Sequence, residues 1–347
     1  MRKTVPLLPA FLVFAVTFSF AQPAAKDGQL QFADLGVCHL VSGHQIDNCR
    51  LGYRTYGTLN AARSNAVLFP TWFSGVSADL AQFVSADGLV DPSRYFVVTI
   101  DALANGVSSS PSNSPSQHGA AFPAITLQDM VNAEHRLATE TLHLNHVHAV
   151  MGLSMGGQQS FEWIVDYPGF MDEAIPIVGS PRPDGRDLLL YRSDIDAIEG
   201  DPAFDHGRYT QAPPVPEAEL IWQLNLTTPT NFARTYPPDK FASEYAKWES
   251  KGILPFDAND WVTQLQAIVQ LDIGHGATLE NAAKRVRAKV LVVSSEQDNM
   301  VNPAPALNFA HLIGAKIFLL KSDCGHIATS CEAATLDPAV RAFLDGK

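Results

Sequence analysis

The sequence predicts an α/β protein: a mostly parallel, eight-stranded sheet flanked by helices, with a helical insertion laid over it before the last two strands. Three observations carry this. Short apolar, β-branched runs recur along the chain. The later ones alternate with helical stretches, the signature of parallel βαβ units. The pattern then changes between 181 and 286, which is rich in proline, tryptophan and charge and poor in strand signals.

The apolar runs fall at 30–32, 49–56, 65–69, 95–100, 147–151, 173–178, 289–294 and 316–321. The clearest helix starts near Thr126. There Thr126 and Asp129 form a capping-box pattern, and Met130, Val131, Leu137 and Leu142 recur at roughly helical spacing. The segment 108–116, SSSPSNSPS, reads as a loop. The expected organisation is a core of 22–180 and 287–347 interrupted by the helical insertion 181–286.

A chain of 347 residues with 46% hydrophobic and 17% charged residues can bury a sizeable core. A formal net charge of −12 argues against nucleic acid, whose phosphates would be repelled. Residues 1–21 read as a signal peptide. Arg2 and Lys3 precede an apolar run at 5–20, and Ser19 and Ala21 suit cleavage after Ala21. The competing reading is an uncleaved anchor, but the run is short for a span and lacks a second basic flank. A secreted or periplasmic location follows, with no membrane attachment after signal removal.

Export makes the four cysteines candidates for disulfides. Of three possible connectivities, local pairing of Cys38 with Cys49 and of Cys324 with Cys331 is the most economical. A zinc site using His39, His44 or His326 is the rival, without a CxxC spacing to support it.

The chemistry-bearing feature is Gly152-Leu-Ser154-Met-Gly156, entered by a β-rich run and left by a helical one. In this strand–turn–helix context G-x-S-x-G presents a serine nucleophile, and the Met155 amide at the helix start faces the attacked oxygen. The chemistry implies an α/β-hydrolase fold. A serine hydroxyl needs a base. Of 11 histidines, His326 stands after the last strand, where this fold delivers its base. The orienting acid should follow the preceding strand, which makes Asp298 the candidate and Glu296 its rival. The second oxyanion donor is expected in Phe69-Pro-Thr-Trp-Phe-Ser-Gly75, at the Phe73 amide or, failing that, Trp72. His146, His148 and the nearby His143 read as structural packing rather than metal ligands. Asp201, Asp205 and His206 read as solvated insertion residues, and Asn225-Leu-Thr227 is a glycosylation sequon relevant only in a eukaryotic host. No metal, dinucleotide or P-loop motif stands out.

From about Gly52 onward the chain resembles the homoserine O-acetyltransferase family, a branch of the α/β-hydrolases. The shared motifs are Tyr53-Arg-Thr-Tyr-Gly-Thr-Leu-Asn60, Phe122-Pro-Ala-Ile-Thr-Leu-Gln-Asp-Met-Val-Asn-Ala133, Gly152-Leu-Ser-Met-Gly-Gly157 with Glu162-Trp163 and Asp166-Tyr-Pro168, and Ala174-Ile-Pro-Ile177. The resemblance implies a helical lid with a tunnel to the serine, acyl-enzyme chemistry on Ser154, Asp298 and His326, and a homodimer. Three features depart from it. The family places an aspartate after the catalytic histidine to hold the substrate amino group; here Ile327 stands there. The segment aligned with its substrate-binding arginine, Leu224-Asn-Leu-Thr-Thr228, has no basic residue. The family is also cytosolic and uses acetyl-CoA. Losing two charged anchors would cost a zwitterion such as homoserine several kcal/mol. The sequence therefore points to a secreted serine hydrolase acting on a small-molecule ester or related acyl substrate without a cofactor. An acyl-CoA-dependent O-acetyltransferase is the alternative.

Overall fold

The computed structural model describes Met1 and residues 27–347; the apolar leader and the cleavage point after Ala21 lie outside the described residues. Eight strands form one sheet: β1 (Gln31–His39), β2 (Gln45–Tyr56), β3 (Ala66–Pro70), β4 (Phe96–Ile100), β5 (Val147–Leu153), β6 (Met171–Ile177), β7 (Lys289–Ser295) and β8 (Lys316–Leu320). Their order is β1-β2-β4-β3-β5-β6-β7-β8. β1 pairs with β2, and β2 with β4, antiparallel; every other pairing is parallel. This is an α/β-hydrolase fold with a mostly parallel sheet.

The central strands are legible because both faces are covered. All five residues of β3 are buried, and Val67 and Phe69 join one apolar cluster while Leu68 joins the other. The edge is less legible. β1 runs far beyond the short apolar run at 30–32, and it carries irregularities on either side of Gly36, whose φ is 66°. Such bulges twist an edge strand away from further pairing. Its polar and glycine residues hide it from a hydrophobicity count. The Cys38–Cys49 disulfide closes this hairpin, with the Cα atoms 5.7 Å apart.

Helix α1 (Leu127–Arg136) starts with a complete capping box. Asp129 N–H donates to Thr126 Oγ1 at 3.1 Å, and Thr126 N–H donates to Asp129 Oδ2 at 2.8 Å. The other oxygen of Asp129 accepts Val41 N–H at 2.7 Å, tying the helix to the hairpin. Helix α2 (Met155–Asp166) is buried along most of its length. Its Trp163 indole donates to Glu134 Oε2 at 2.8 Å.

Between β6 and β7 the chain runs through α3 (Gly185–Gly200), α4 (Pro216–Leu226), α5 (Pro229–Thr235), α6 (Pro238–Lys251), α7 (Ala258–Val269) and α8 (Leu279–Ala283). Helix α6 buries no residue, whereas α7 buries nine. Helices α9 (Pro303–Ile313), α10 (Ala328–Cys331) and α11 (Ala333–Leu344) complete the chain. The segment 108–116 is a loop, buried at 108–111 and at Ser114. Ser108 and Ser109 hydroxyls accept the Gly52 and Arg50 N–H groups at 2.9 Å, and Ser112 donates to Asp260 at 2.6 Å. Its serines replace the ladder partners that irregular backbone lacks.

Candidate active site

Ser154 sits between β5 and α2 with φ 54° and ψ −118°, a region that non-glycine residues avoid. Its N–H donates to Ile177 O at 2.8 Å, holding the turn against β6. The turn needs small neighbours. A Cβ on Gly152 would lie 2.3 Å from the Gly156 backbone, and one on Gly156 would lie 2.5 Å from Pro70 O. Any larger residue would push strand and helix apart.

The loop after β7 carries Asp298, whose side chain is 1% exposed. One carboxylate oxygen, Oδ1, accepts the N–H groups of Met300 at 2.8 Å and Val301 at 3.0 Å. The other, Oδ2, lies 2.7 Å from His326 Nδ1. His326 stands on a 3₁₀ turn (Gly325–Ile327) after β8, and its Nε2 lies 2.9 Å from Ser154 Oγ. With Nδ1–H donating to the carboxylate, Nε2 is left to accept the serine proton. The structure thus brings Ser154, Asp298 and His326 into one hydrogen-bonded series. Glu296, the rival acid, is exposed and takes no part.

Met155 opens α2 directly after Ser154, and Trp72 and Phe73 line the same cavity as the serine. Met155, Phe73 and Trp72 N–H groups have no acceptor among the described residues. Their neighbours are taken: Thr71 N–H by Ile100 O, Ser74 N–H by Gln264 Oε1 and Gly75 N–H by Trp72 O. Free amides beside a helix N-terminus are suited to a developing oxyanion.

The serine and histidine open on a cavity of about 280 Å³. Its wall includes Trp72, Phe73, Phe83, Leu226, Trp222 and Ile327, with Ser74, Gln82, Thr329 and Ser330 as its neutral polar members. Among the described residues, no Asp, Glu, Lys or Arg lines it. Trp222 and Leu226 come from α4. Trp222 carries no chemical motif, whereas Leu226 falls in the segment 224–228 aligned with the family's substrate-binding arginine. Trp222 packs on Phe73 with ring centroids 4.7 Å apart.

Both loops bearing the acid and base are braced by the insertion. Tyr191 hydroxyl donates to Met300 O at 3.0 Å, and Asn302 N–H donates to Asp187 Oδ1 at 3.0 Å. Burial pushes the Asp187 carboxyl up to about 6. On the histidine side, Thr228 hydroxyl donates to Asp323 O at 2.6 Å. Arg234 grips the Asp323 carboxylate with two N–H groups at 2.6 and 2.8 Å, which holds that acid down at about 2. Ser295 hydroxyl donates to Gly325 O at 2.7 Å. The Cys324–Cys331 disulfide spans the turn that holds His326.

The remaining sequence candidates lie elsewhere. With all four cysteines bridged, the zinc site built on thiolates is excluded. His148 Nε2 contacts Leu344 O at 2.9 Å and its ring stacks on Tyr95; His146 Nδ1 contacts Gly169 O at 3.1 Å. Asp205 and His206 are exposed, and Asp201 accepts Ala203 N–H at the start of a short turn. No described helix is long and apolar enough to cross a membrane.

Fold and cavity define an α/β-hydrolase. A family model described as the alpha/beta hydrolase fold matches residues 65–196. The ethyl acetate hydrolase of Pseudomonas veronii is 32% identical over 314 residues, covering 86% of this chain and 90% of that protein. The homoserine O-acetyltransferase of Nautilia profundicola is 27% identical, covering 89% and 96%. The solved structure of the acetyl esterase MekB superposes with a TM-score of 0.86 at 29% identity, covering 92% of this chain and 97% of that one. The chain belongs to the α/β-hydrolase family, in the branch shared by homoserine O-acetyltransferases and their esterase relatives. Its activity is that of an ester hydrolase or acyltransferase.

Proposed function

We propose that this protein is an exported serine esterase that hydrolyses small neutral carboxylic esters through an acyl-enzyme on Ser154. The observation that carries the reading is the series Asp298–His326–Ser154 opening on a cavity wall without a charged side chain. An apolar, neutral wall suits an uncharged ester and offers nothing to pair with an ammonium or carboxylate group. Ile327 is part of that wall. Arg234, the basic residue of α5, is exposed and engaged with Asp323.

In this mechanism Ser154 Oγ attacks the ester carbonyl while His326 Nε2 takes its proton. Asp298 holds the imidazole with Nδ1 protonated and stabilises the imidazolium. The amides of Met155 and Phe73 receive the oxyanion, each such donor supplying about 3 kcal/mol of transition-state stabilisation. His326 then returns the proton to the departing alcohol. Water, activated by the same imidazole, resolves the acyl-enzyme. The apolar leader and the two disulfides support export to an oxidising compartment.

The test is turnover of p-nitrophenyl acetate by the purified mature protein and by Ser154→Ala, with and without homoserine as acceptor. Free acid release that is lost in Ser154→Ala and is unchanged by homoserine supports the esterase. O-acyl homoserine formed in excess of free acid would replace hydrolysis by transfer. No serine-dependent turnover of any short ester would sink both.

A further inference from the structure

We propose that Glu162, Asp166 and His275 form a binding site for one first-row divalent transition-metal ion of the zinc type, set apart from the ester-cleaving site. Glu162 and Asp166 are four residues apart on α2, so their carboxylates share one helix face. His275 comes from the turn after α7 and has φ 50°. Its Nε2 lies 2.8 Å from Asp166 Oδ1 and 3.2 Å from Glu162 Oε1. One ligand atom from each residue lies within 4.8 Å of the other two.

The independent pointer to a cation is Glu162. Its side chain is 2% exposed, yet Oε1 accepts no hydrogen bond. A single Nε2–H can serve only one carboxylate well, and the shorter contact goes to Asp166. Glu162 Oε1 is left beside the Asp166 carboxylate and an imidazole N–H already committed to Asp166, an arrangement that costs free energy unless something fills it. A metal ion serves all three ligands at once. Tetrahedral coordination at about 2.0–2.1 Å sets ligand atoms roughly 3.3 Å apart, near the 2.8 and 3.2 Å that separate His275 Nε2 from the two carboxylates.

The surroundings agree. Asp166 is the last residue of α2, where the helix dipole favours positive charge. Its second oxygen accepts Gln128 Nε2–H at 2.8 Å, which orients the first. The His275 turn is preset, because Asp272 accepts the Gly274 and Gly276 N–H groups at 2.9 and 3.1 Å. The His275 side chain is 31% exposed, leaving an entry path and room for a water ligand. Arg285, 3.6 Å from Asp166 and 47% exposed, is the competing cation and can swing into solvent. One imidazole with two carboxylates selects zinc-type ions over calcium, which takes six or more oxygens. The site lies roughly 12–18 Å along α2 from Ser154 at 1.5 Å per residue, so the ion would staple α2 to the segment leaving the insertion.

The test uses the full mature protein, stripped with EDTA and dialysed. Zinc chloride and calcium chloride are titrated calorimetrically, and retained metal is measured by emission spectrometry after desalting. Glu162 is buried, so the diagnostic variant is His275→Ala on the exposed turn, with His146→Ala/His148→Ala as the control for other histidine pairs. The expected result is one zinc per chain, a raised Tm with zinc, binding at least 100-fold weaker in His275→Ala, and no change in the control. Esterase turnover of His275→Ala should match the wild type. Absence of stoichiometric zinc, equal binding by His275→Ala, or calcium binding as tight as zinc each overturns the site.

Discussion

Asp298→Asn is the sharpest perturbation of the proposed mechanism, because the structure dictates how the new amide must sit. Asp298 Oδ1 accepts two backbone N–H groups, from Met300 and Val301, while Oδ2 faces His326 Nδ1. An asparagine must keep its carbonyl oxygen toward the two N–H groups. The reverse flip would set an NH₂ against two donors in a buried loop, at about 1–3 kcal/mol for each unsatisfied group. The NH₂ therefore faces Nδ1 and forces it to be an acceptor. The imidazole proton moves to Nε2, the nitrogen 2.9 Å from Ser154 Oγ, which can then no longer receive the serine proton. Trapping the wrong tautomer in a triad of this kind costs about 10⁴ in kcat, equivalent to about 5 kcal/mol. The assay is kcat for p-nitrophenyl acetate at neutral pH, with the histidine tautomer followed by ¹⁵N NMR and folding by Tm. A variant that folds normally and keeps kcat within tenfold of wild type would refute the orientation argument.

Three further outcomes follow from the same geometry. Replacing both Cys324 and Cys331 by serine should lower stability in urea by about 2.5 kcal/mol, from the loop-closure entropy of a bridge with sequence separation 7. It should also lower kcat, because the bridge spans the turn carrying His326; unchanged kcat would show that turn to be held by Asp323 and Ser295 alone. Glu134 is fully buried, and burial pushes its carboxyl from 4.5 up to about 8. Its folded pKa is above the unfolded one, so the stabilisation is full below about pH 4.5 and is lost as pH rises through 8. Glu134→Gln, which can keep the acceptor for Trp163, should therefore gain Tm relative to wild type between pH 5 and 9; a constant difference across that range contradicts a neutral Glu134. Ile327→Asp puts a carboxylate on the cavity wall and should lower kcat/KM for a neutral acetate ester about tenfold or more. Steady-state kinetics check it, and an undiminished kcat/KM would detach Ile327 from substrate selection.

How much of the site could be read beforehand depends on how local its signals are. Ser154 announces itself through six consecutive residues, because the turn needs small neighbours that any sequence must supply in order. Asp298 and His326 are each placed by the strand before them, so the sheet's regular βα alternation located them although 28 and 172 residues separate the members of the series. The disulfides were legible because each bridge is local. Trp222 was not, since a cavity wall is made by packing and leaves no spacing rule in the chain. Glu162, Asp166 and His275 escaped for a related reason. The first two stand among the motifs shared with the acetyltransferase family, and the third lies 109 residues beyond Asp166.

The sequence by itself determined the mostly parallel sheet, the chain order of Ser154, Asp298 and His326, and the small residues that shape the serine turn. These follow from short-range periodicity and backbone sterics, which act within a few residues. Only the tertiary structure decided which acid reaches His326, which side chains wall the cavity, and how α3 and α5 brace the two loops. Those outcomes depend on distances between segments far apart in the chain. They are fixed by the simultaneous packing of the insertion and the core, and no local pattern encodes them.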